Sequence, residues 1–288
     1  MKIKLYLFML TAMLVSKSIV AADIVSDVRA GGDGKSSSYE ESYIELGVSL
    51  VVANNPWDIA AGEEYDDHDL NLDFDVYGQL KKNNFLIEVT QGTMDGLNLG
   101  YTFLTTPTWQ VDFLAGSLNG SYEIGKDYKI DDNDTESERN RKIYERNRIY
   151  VGTGLRVTHY WGKYVVQARI LNDFVYQSGT GGSLRIGRGW QYRNWYIFGI
   201  FGGEYRSAKT NQMWYGIDSD EATARYPSYN AESTFNFSSQ LGFIRPINEN
   251  WVLRGYIGYS NTPASASKSS LVEDEDTSYS SISVNRVF

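Results

Sequence analysis

The sequence predicts an all-β protein, a single antiparallel transmembrane β-barrel of about twelve strands, with ten strands as the alternative. Apolar and polar residues alternate through Phe235–Arg245, Trp251–Tyr259 and Tyr279–Phe288, which is the period of a strand with two unlike faces. The chain also begins with the pattern of a secretion signal and ends on an aromatic residue. In that context the apolar face is expected to meet lipid while the polar face lines a barrel.

Residues 1–22 have the pattern of an export signal. Lys2 and Lys4 precede an apolar run at Leu5–Val15, and small residues follow up to Ala22, so we expect cleavage near Ala22. The apolar run is too short to span a bilayer. Cleavage removes three lysines and no acid, which takes the formal net charge from −9 to −12. A chain this acidic is expected to avoid nucleic acid, and the predicted location is the outer membrane of a Gram-negative bacterium.

Residue parity places the strands. Between Tyr43 and Val52, and again from Leu70 to Tyr77, apolar residues occupy every second position and polar residues the positions between. The count is even, as in bacterial barrels. The predicted strands lie at 43–52, 70–77, 83–91, 96–104, 108–118, 146–160, 163–176, 181–191, 194–206, 232–245, 250–261 and 277–288.

The connections separate into two kinds that alternate along the chain. Five junctions are short, and the junctions between them include four long segments at 53–68, 119–145, 207–231 and 262–276. Short periplasmic turns and long extracellular loops are typical of an outer-membrane barrel. A soluble β-sandwich, the alternative, has no reason to segregate its loops in this way.

A single domain is expected, since no linker or repeat divides the chain. Residues 23–42 are predicted to be a flexible periplasmic lead-in, and residues 43–288 the barrel. The most charged stretch, 126–148, is read as a solvated outer loop or as a contact with lipopolysaccharide phosphates. The side chains for the second reading are Arg139, Arg141, Lys142, Arg146 and Arg148.

Charged residues occupy the row that should face the lumen. Acids come from the early strands and arginines from the later ones. If the two groups face each other across the lumen, they create a transverse field in a narrow aqueous pore. The alternative is a network of ion pairs that fills a small lumen, because buried charges need partners. The predicted lumen charges are Glu45, Asp73, Asp75, Glu88, Asp112, Arg156, Arg169, Arg185 and Arg254.

Enzyme chemistry finds little support in the sequence, and we expect a protein that is not an enzyme and needs no cofactor. There is no cysteine, which excludes thiol chemistry and cysteine-based metal sites. His159 lacks the serine motif of an outer-membrane phospholipase. His68 lies among acids at Asp66–Asp69, which suits a protease, a divalent cation site or, as the simplest reading, a solvated acidic loop.

The segment 207–231 contains more aromatic residues than a solvated loop usually does: Trp214, Tyr215, Tyr226 and Tyr229. We therefore predict that it folds against the barrel mouth or rim. It also contains an ordered motif that is followed by Trp251, by Gly258-Tyr259 at a strand end, by Ser269–Val272 and by a terminal aromatic. The motif residues are Trp214, Tyr215, Gly216, Ile217, Glu221, Ala222 and Tyr229.

Through this ordered set of residues the chain resembles the MipA/OmpV family of outer-membrane proteins. The resemblance is strongest over residues 211–288. The resemblance implies a scaffold that brings a murein lytic transglycosylase to a murein synthase; a small porin-like channel or a surface adhesin are the alternatives. The other expected partners are outer-membrane lipid, lipopolysaccharide and the barrel-assembly machinery, whose assembly signal would be Ile282, Val284 and Phe288. Two departures stand out: Lys268-Ser269-Ser270 replaces a usual Asp-Ser-Pro, and Arg286 replaces a usual aromatic.

Overall fold

The computed structural model describes residues 42–53, 70–90, 96–124, 133, 135, 146–272 and 276–288. The predicted signal peptide, the lead-in up to residue 41 and the acidic segment around His68 lie outside these residues. Of the proposed lipopolysaccharide contacts, Arg139, Arg141 and Lys142 also lie outside them, whereas the backbone of Arg146 and Arg148 begins a strand. Among the described residues, no helix is long and apolar enough to cross a membrane.

Twelve antiparallel strands form one closed barrel, which confirms the predicted fold class and strand count. Each strand pairs with its neighbours in sequence, and the last strand pairs with the first. The strands are β1 Tyr43–Ala53, β2 Asn71–Lys82, β3 Phe85–Thr90, β4 Gly96–Thr105, β5 Trp109–Ile124, β6 Arg146–Trp161, β7 Tyr164–Asp173, β8 Gly179–Tyr192, β9 Trp195–Arg206, β10 Thr234–Pro246, β11 Trp251–Asn261 and β12 Asp276–Val287.

The seam between β1 and β12 closes the barrel. Its register runs from Glu45 opposite Val287 to Ala53 opposite Tyr279, and the amide of Phe288 extends it by donating to the carbonyl of Ile44 at 3.0 Å. The outward row of the predicted assembly signal lies on this seam, since Ile282 is opposite Leu50 and both are exposed. Closure leaves the sheet without an edge strand.

The short connections gather at the end of the barrel where β1 starts and β12 ends, which we call the turn end. The turn between β2 and β3 consists of Asn83 and Asn84, with φ angles of 51° and 67°. Two consecutive positive φ angles suit the twist of a tight hairpin, and asparagine tolerates them better than most residues. The one described helix, α1 at Ala208–Tyr215, and the described segments 207–233 and 262–272 lie at the opposite end, the loop end.

The outer wall is apolar and the inner wall mostly polar, as parity predicts. Large apolar side chains such as Phe74, Leu241 and Ile257 lie outward with about half or more of their surface exposed. A belt of aromatic side chains surrounds the turn end, where tryptophan and tyrosine suit the boundary between lipid and water. The belt includes Trp109, Trp161, Tyr164, Trp190, Tyr192, Trp195 and Trp251. A closed barrel with this exterior is an outer-membrane protein.

Three strands differ from their predicted ends by about three residues or more. β2 continues to Lys82 rather than ending at Tyr77. β5 continues to Ile124 rather than ending near 118, with register shifts where it pairs with β6. β7 ends at Asp173 rather than 176. The carboxylate of Asp173 accepts hydrogen bonds from the backbone amides of Val175 and Tyr176 at 2.9 and 3.0 Å, and this local turn replaces the sheet pairing.

We expect Leu241→Arg to destabilise the barrel by about 2–4 kcal/mol, because Leu241 lies on the outward face in the middle of β10 and a charge there enters hydrocarbon. Urea unfolding in lipid vesicles, followed by tryptophan fluorescence, measures the change. Ile247→Arg is the matched control, since Ile247 is equally exposed but lies in a turn. Equal losses for the two variants would contradict the placement of β10 in the membrane.

Candidate functional site: the occupied lumen

Arg156 is the centre of a buried charge cluster on the inner wall. Its Nη1 and Nη2 each lie 2.7 Å from a carboxylate oxygen of Glu88, and its Nε lies 2.8 Å from Oδ2 of Asp112. All three side chains are almost completely buried. Bidentate and charge-assisted hydrogen bonds of this kind offset the cost of removing charges from water.

Neutral side chains complete this cluster. Thr102 and Gln110 donate to Asp112 at 2.6 and 3.0 Å. Asn98 donates to Glu88 at 3.2 Å and accepts from Arg169, also at 3.2 Å. The two acids and two arginines balance, so we describe the set as an electrically neutral network.

A second buried pair lies near the closing seam. Arg254 of β11 approaches both carboxylate oxygens of Glu45 of β1, at 2.6 and 2.7 Å. The guanidinium also lies 4.9 Å from the ring centre of Tyr77 and donates to the hydroxyl of Tyr43 at 3.3 Å. β12 lies between β11 and β1. The Glu45–Arg254 pair therefore connects the two sides of the seam through side chains, in addition to the backbone hydrogen bonds of the sheet.

The remaining predicted lumen charges have different surroundings. Asp75 is buried and accepts from Ser49 at 3.0 Å. Asp73 is exposed, and its carboxylate accepts from the amide of Phe74. Arg185 is buried on β8 and lines a cavity together with Arg169.

Acids and arginines therefore meet in direct ion pairs, without an open pore between them. Asp112 and Arg156 are directly opposite each other on neighbouring strands. Glu45 and Arg254 are two strands apart, and Glu88 and Arg156 are three strands apart. The early strands, which carry the acids, meet the later strands, which carry the arginines, at two places: between β5 and β6, and at the seam between β12 and β1. The ion pairs form near these two places. The picture of opposed rows with a field between them does not describe these five residues.

Apolar side chains fill the lumen at the turn end. They form one buried cluster, which we call the turn-end cluster, contributed by five strands on the inward row. A rule that sends every apolar residue to lipid misses it, and the correction is physical: a narrow lumen excludes water when large side chains fill it. The cluster consists of Tyr160, Val165, Phe198, Ile200, Ile244 and Val252.

A third group occupies the lumen on the side of helix α1. Met213 of α1 packs with Leu114 and Leu171 of the wall and with Tyr150. The hydroxyl of Ser207 caps the helix by accepting from the amide of Thr210 at 3.3 Å. The prediction that the segment 207–231 folds against the barrel mouth agrees with this packing of Met213.

The motif residues hold the two outer loops together. Trp214 and Tyr215 end helix α1, and Gly216 lies so close to the Gln212 side chain that a Cβ would overlap it. Ile217 and Tyr229 form an isolated antiparallel bridge, with both hydrogen bonds at 2.9 Å.

The contacts between the loops come from the same motif. Tyr229 donates its hydroxyl to the carbonyl of Ser265 at 2.6 Å, and Ser269 donates to the carbonyl of Tyr215 at 2.7 Å. Glu221 accepts from the amide of Asp218, and Ala222 is half-buried beside it. The motif therefore has a structural role here, and Ser269, within the departure at 268–270, takes part in it.

Two features named from the sequence are structural as well. His159 stacks on Trp109 with ring centres 4.0 Å apart, and its Nδ1 lies 2.9 Å from the carbonyl of Thr108. Arg286, at the position of the usual aromatic, lies 4.8 Å from the ring centre of Phe288. Among the described residues, no cluster of three or more histidine, aspartate or glutamate side chains is arranged to hold a metal ion.

Replacement of Arg254 by methionine should cost about 3–5 kcal/mol, because Glu45 is then left charged and buried without its partner. The double variant Glu45→Gln, Arg254→Met should lose less than the single one, since no lone charge remains. Urea unfolding in lipid vesicles provides the comparison. Arg245→Met is the control, because Arg245 is exposed and lies over Trp195; if it costs as much as Arg254→Met, the buried pair is not what stabilises the seam.

Comparison with solved structures finds outer-membrane barrels at low identity. A loop-deletion mutant of OmpT from Vibrio cholerae is 8% identical, covering 86% of this chain and 98% of that one with a TM-score of 0.39. A FadL homologue of Pseudomonas aeruginosa is 6% identical, covering 96% of each chain with a TM-score of 0.40. The NanC porin is 7% identical, covering 84% and 98% with a TM-score of 0.41.

Comparison with curated proteins finds no match. A family model, described as MltA-interacting protein MipA, matches residues 35–288. The match includes every strand of the barrel and the motif that joins the outer loops. The chain belongs to the MipA family.

Proposed function

We propose that this protein is a non-enzymatic scaffold of the outer membrane that links a murein lytic transglycosylase to a murein synthase. The family description names an interaction with MltA, and a scaffold needs binding faces, not a passage. The occupied lumen is the observation that carries the proposal. The Arg156 cluster, the Glu45–Arg254 pair and the turn-end cluster place buried side chains where a porin would hold water.

The turn end is the face on which we place the murein enzymes. It carries exposed basic side chains although the chain as a whole is acidic. Among the described residues of this end, the acid that accompanies them is Glu249. The exposed basic residues are Lys82, Lys163, Arg193, Arg245 and Arg286, and Lys81 beside them is half-buried. A basic rim favours a partner with an acidic surface, through steering and complementarity.

The alternatives fit the geometry less well. A porin-like channel requires a continuous aqueous path, and the turn-end cluster closes part of the lumen with apolar side chains. An adhesin would act through the outer loops, and the described parts of two of them are tied to each other by Tyr229 and Ser269.

Charge reversal at the turn end should weaken capture of a purified murein lytic transglycosylase by the immobilised, refolded barrel. We expect the triple variant Lys82→Glu, Lys163→Glu, Arg193→Glu to lower the affinity by about tenfold or more at low salt, because it reverses the field of that face. Surface plasmon resonance at two salt concentrations measures the affinity and how much of it is lost when salt screens the charges.

The matched control makes the same three reversals at the loop end, with Lys209→Glu, Arg225→Glu and Lys268→Glu. All three residues are exposed there, and we expect binding to be unchanged. If both triple variants lose binding equally, the interaction is not located at the turn end. If the native barrel captures neither the transglycosylase nor the synthase, the scaffold proposal is wrong.

Planar-bilayer recordings of the refolded native protein should show no steady, discrete channels. Trimming the turn-end cluster with Phe198→Ala and Ile244→Ala should introduce conductance, because it removes large side chains from the lumen. Phe201→Ala with Phe237→Ala is the control, since these rings are exposed on the outer wall. Regular channels in the native protein would favour the porin-like alternative.

A further inference from the structure

Arg188 is a charged side chain on the lipid-facing wall of the barrel. It belongs to the outward row of β8, between Ile186 and Trp190, which are both exposed. The neighbouring positions in the chain, Arg185 and Gly187, are buried on the inward row. A charge on the lipid face is unfavourable unless it reaches the headgroups or an opposite charge. The position of Arg188 therefore requires a physical explanation.

Two members of the aromatic belt hold the Arg188 side chain. Tyr164, directly opposite on β7, accepts a hydrogen bond from Nη1 of Arg188 at 2.9 Å. The guanidinium carbon lies 5.1 Å from the ring centre of Tyr164 and 5.3 Å from that of Trp190, within the range of a cation–π contact. The charge is thus fixed at the level of the belt, which suits the boundary between lipid and water.

A glycine on the next strand preserves the contact with Trp190. Gly199 is directly opposite Arg188 on β9. A Cβ placed on Gly199 would lie 3.6 Å from Cζ3 and 3.7 Å from Cη2 of Trp190, so the tryptophan ring lies against the wall of β9. Because a longer side chain at this position would displace the ring, glycine allows Trp190 to stay beside the guanidinium.

The outer wall around Arg188 carries no acid. Among the described residues, the contacts of the guanidinium are those with Tyr164 and Trp190, and none of them is an ion pair. The sequence has no aspartate or glutamate in 146–172 or in 174–203, and these ranges include all of β8. Asp173, between the two ranges, is buried at the loop end of β7. The surface around Arg188 is therefore complementary to an anion.

We propose that Arg188, Tyr164 and Trp190 bind the phosphate of an anionic phospholipid in the membrane leaflet at the turn end. A guanidinium matches the geometry of phosphate oxygens, and in the predicted orientation this leaflet is the periplasmic one. The acyl chains lie along Ile186 and Leu184, the next outward residues of β8 towards the membrane centre. The site is on the outer wall, and none of its three residues belongs to the basic rim assigned to the murein enzymes.

The test is native mass spectrometry of the refolded barrel in detergent micelles, titrated with phosphatidylglycerol or with diacylglycerol of the same acyl chains. We expect phosphatidylglycerol to bind more tightly, and Arg188→Gln to weaken its binding by about fivefold or more while diacylglycerol binding is unchanged. Arg193→Gln is the matched control and should leave both unchanged. Arg193 also lies over an aromatic ring, 5.5 Å from the ring centre of Tyr192, but in the turn beyond the wall.

A second variant separates binding from folding. Tyr164→Phe keeps the ring and every charge and removes only the hydroxyl that holds Nη1, so it should also weaken phosphatidylglycerol binding, by less than Arg188→Gln does. The proposal is overturned if either variant folds and binds phosphatidylglycerol as the native barrel does, or if Arg193→Gln loses as much as Arg188→Gln. It is overturned too if glycerol phosphate, which has no acyl chains, displaces the lipid at equal concentration, because the site would then bind free phosphate.

Discussion

Closure of the sheet is the constraint on which the rest of the structure depends. In hydrocarbon, an unpaired backbone N–H or C=O group costs several kcal/mol, so an open edge is not tolerated. β12 therefore pairs with β1 along its length, from Val287 opposite Glu45 to Tyr279 opposite Ala53. The bidentate contact between Arg254 and Glu45 crosses the same seam on the inside. The barrel is therefore closed both by backbone hydrogen bonds between β1 and β12 and by a side-chain ion pair between β1 and β11.

Side chains of the inner wall occupy much of the lumen that closure creates. Polar side chains removed from water there must satisfy one another. Arg156 forms ion pairs with Glu88 and Asp112 at the centre of one such network. Large apolar residues, Phe198 among them, exclude water at the turn end. A cavity at the loop end is lined by Arg169, Arg185 and Arg206. The proposed scaffold would meet its partners at the turn end.

Much of the fold could be predicted from the sequence because strand parity is local. Leu72 and Phe74 alternate with Asp73 and Asp75, and the structure places the first two outward. The rule failed where a competing interaction was stronger. β7 stops at Asp173 because its carboxylate binds the amides of the next turn. The inward apolar row containing Phe198 was missed because parity distinguishes two faces but does not say how wide the lumen is.

The sequence by itself determined the number of strands and their order along the chain, because the alternation of a strand and the residues of a turn are local features. Only the tertiary structure decided which charges meet. Arg156 finds Asp112 and Glu88 at separations of 44 and 68 residues, and Arg254 finds Glu45 at 209. Those partners depend on the register of every hairpin and on closure of the barrel, and a one-residue slip in a strand would turn its inward charges to lipid. The cavity beneath α1 likewise requires the helix to fold over the barrel, which no local pattern specifies.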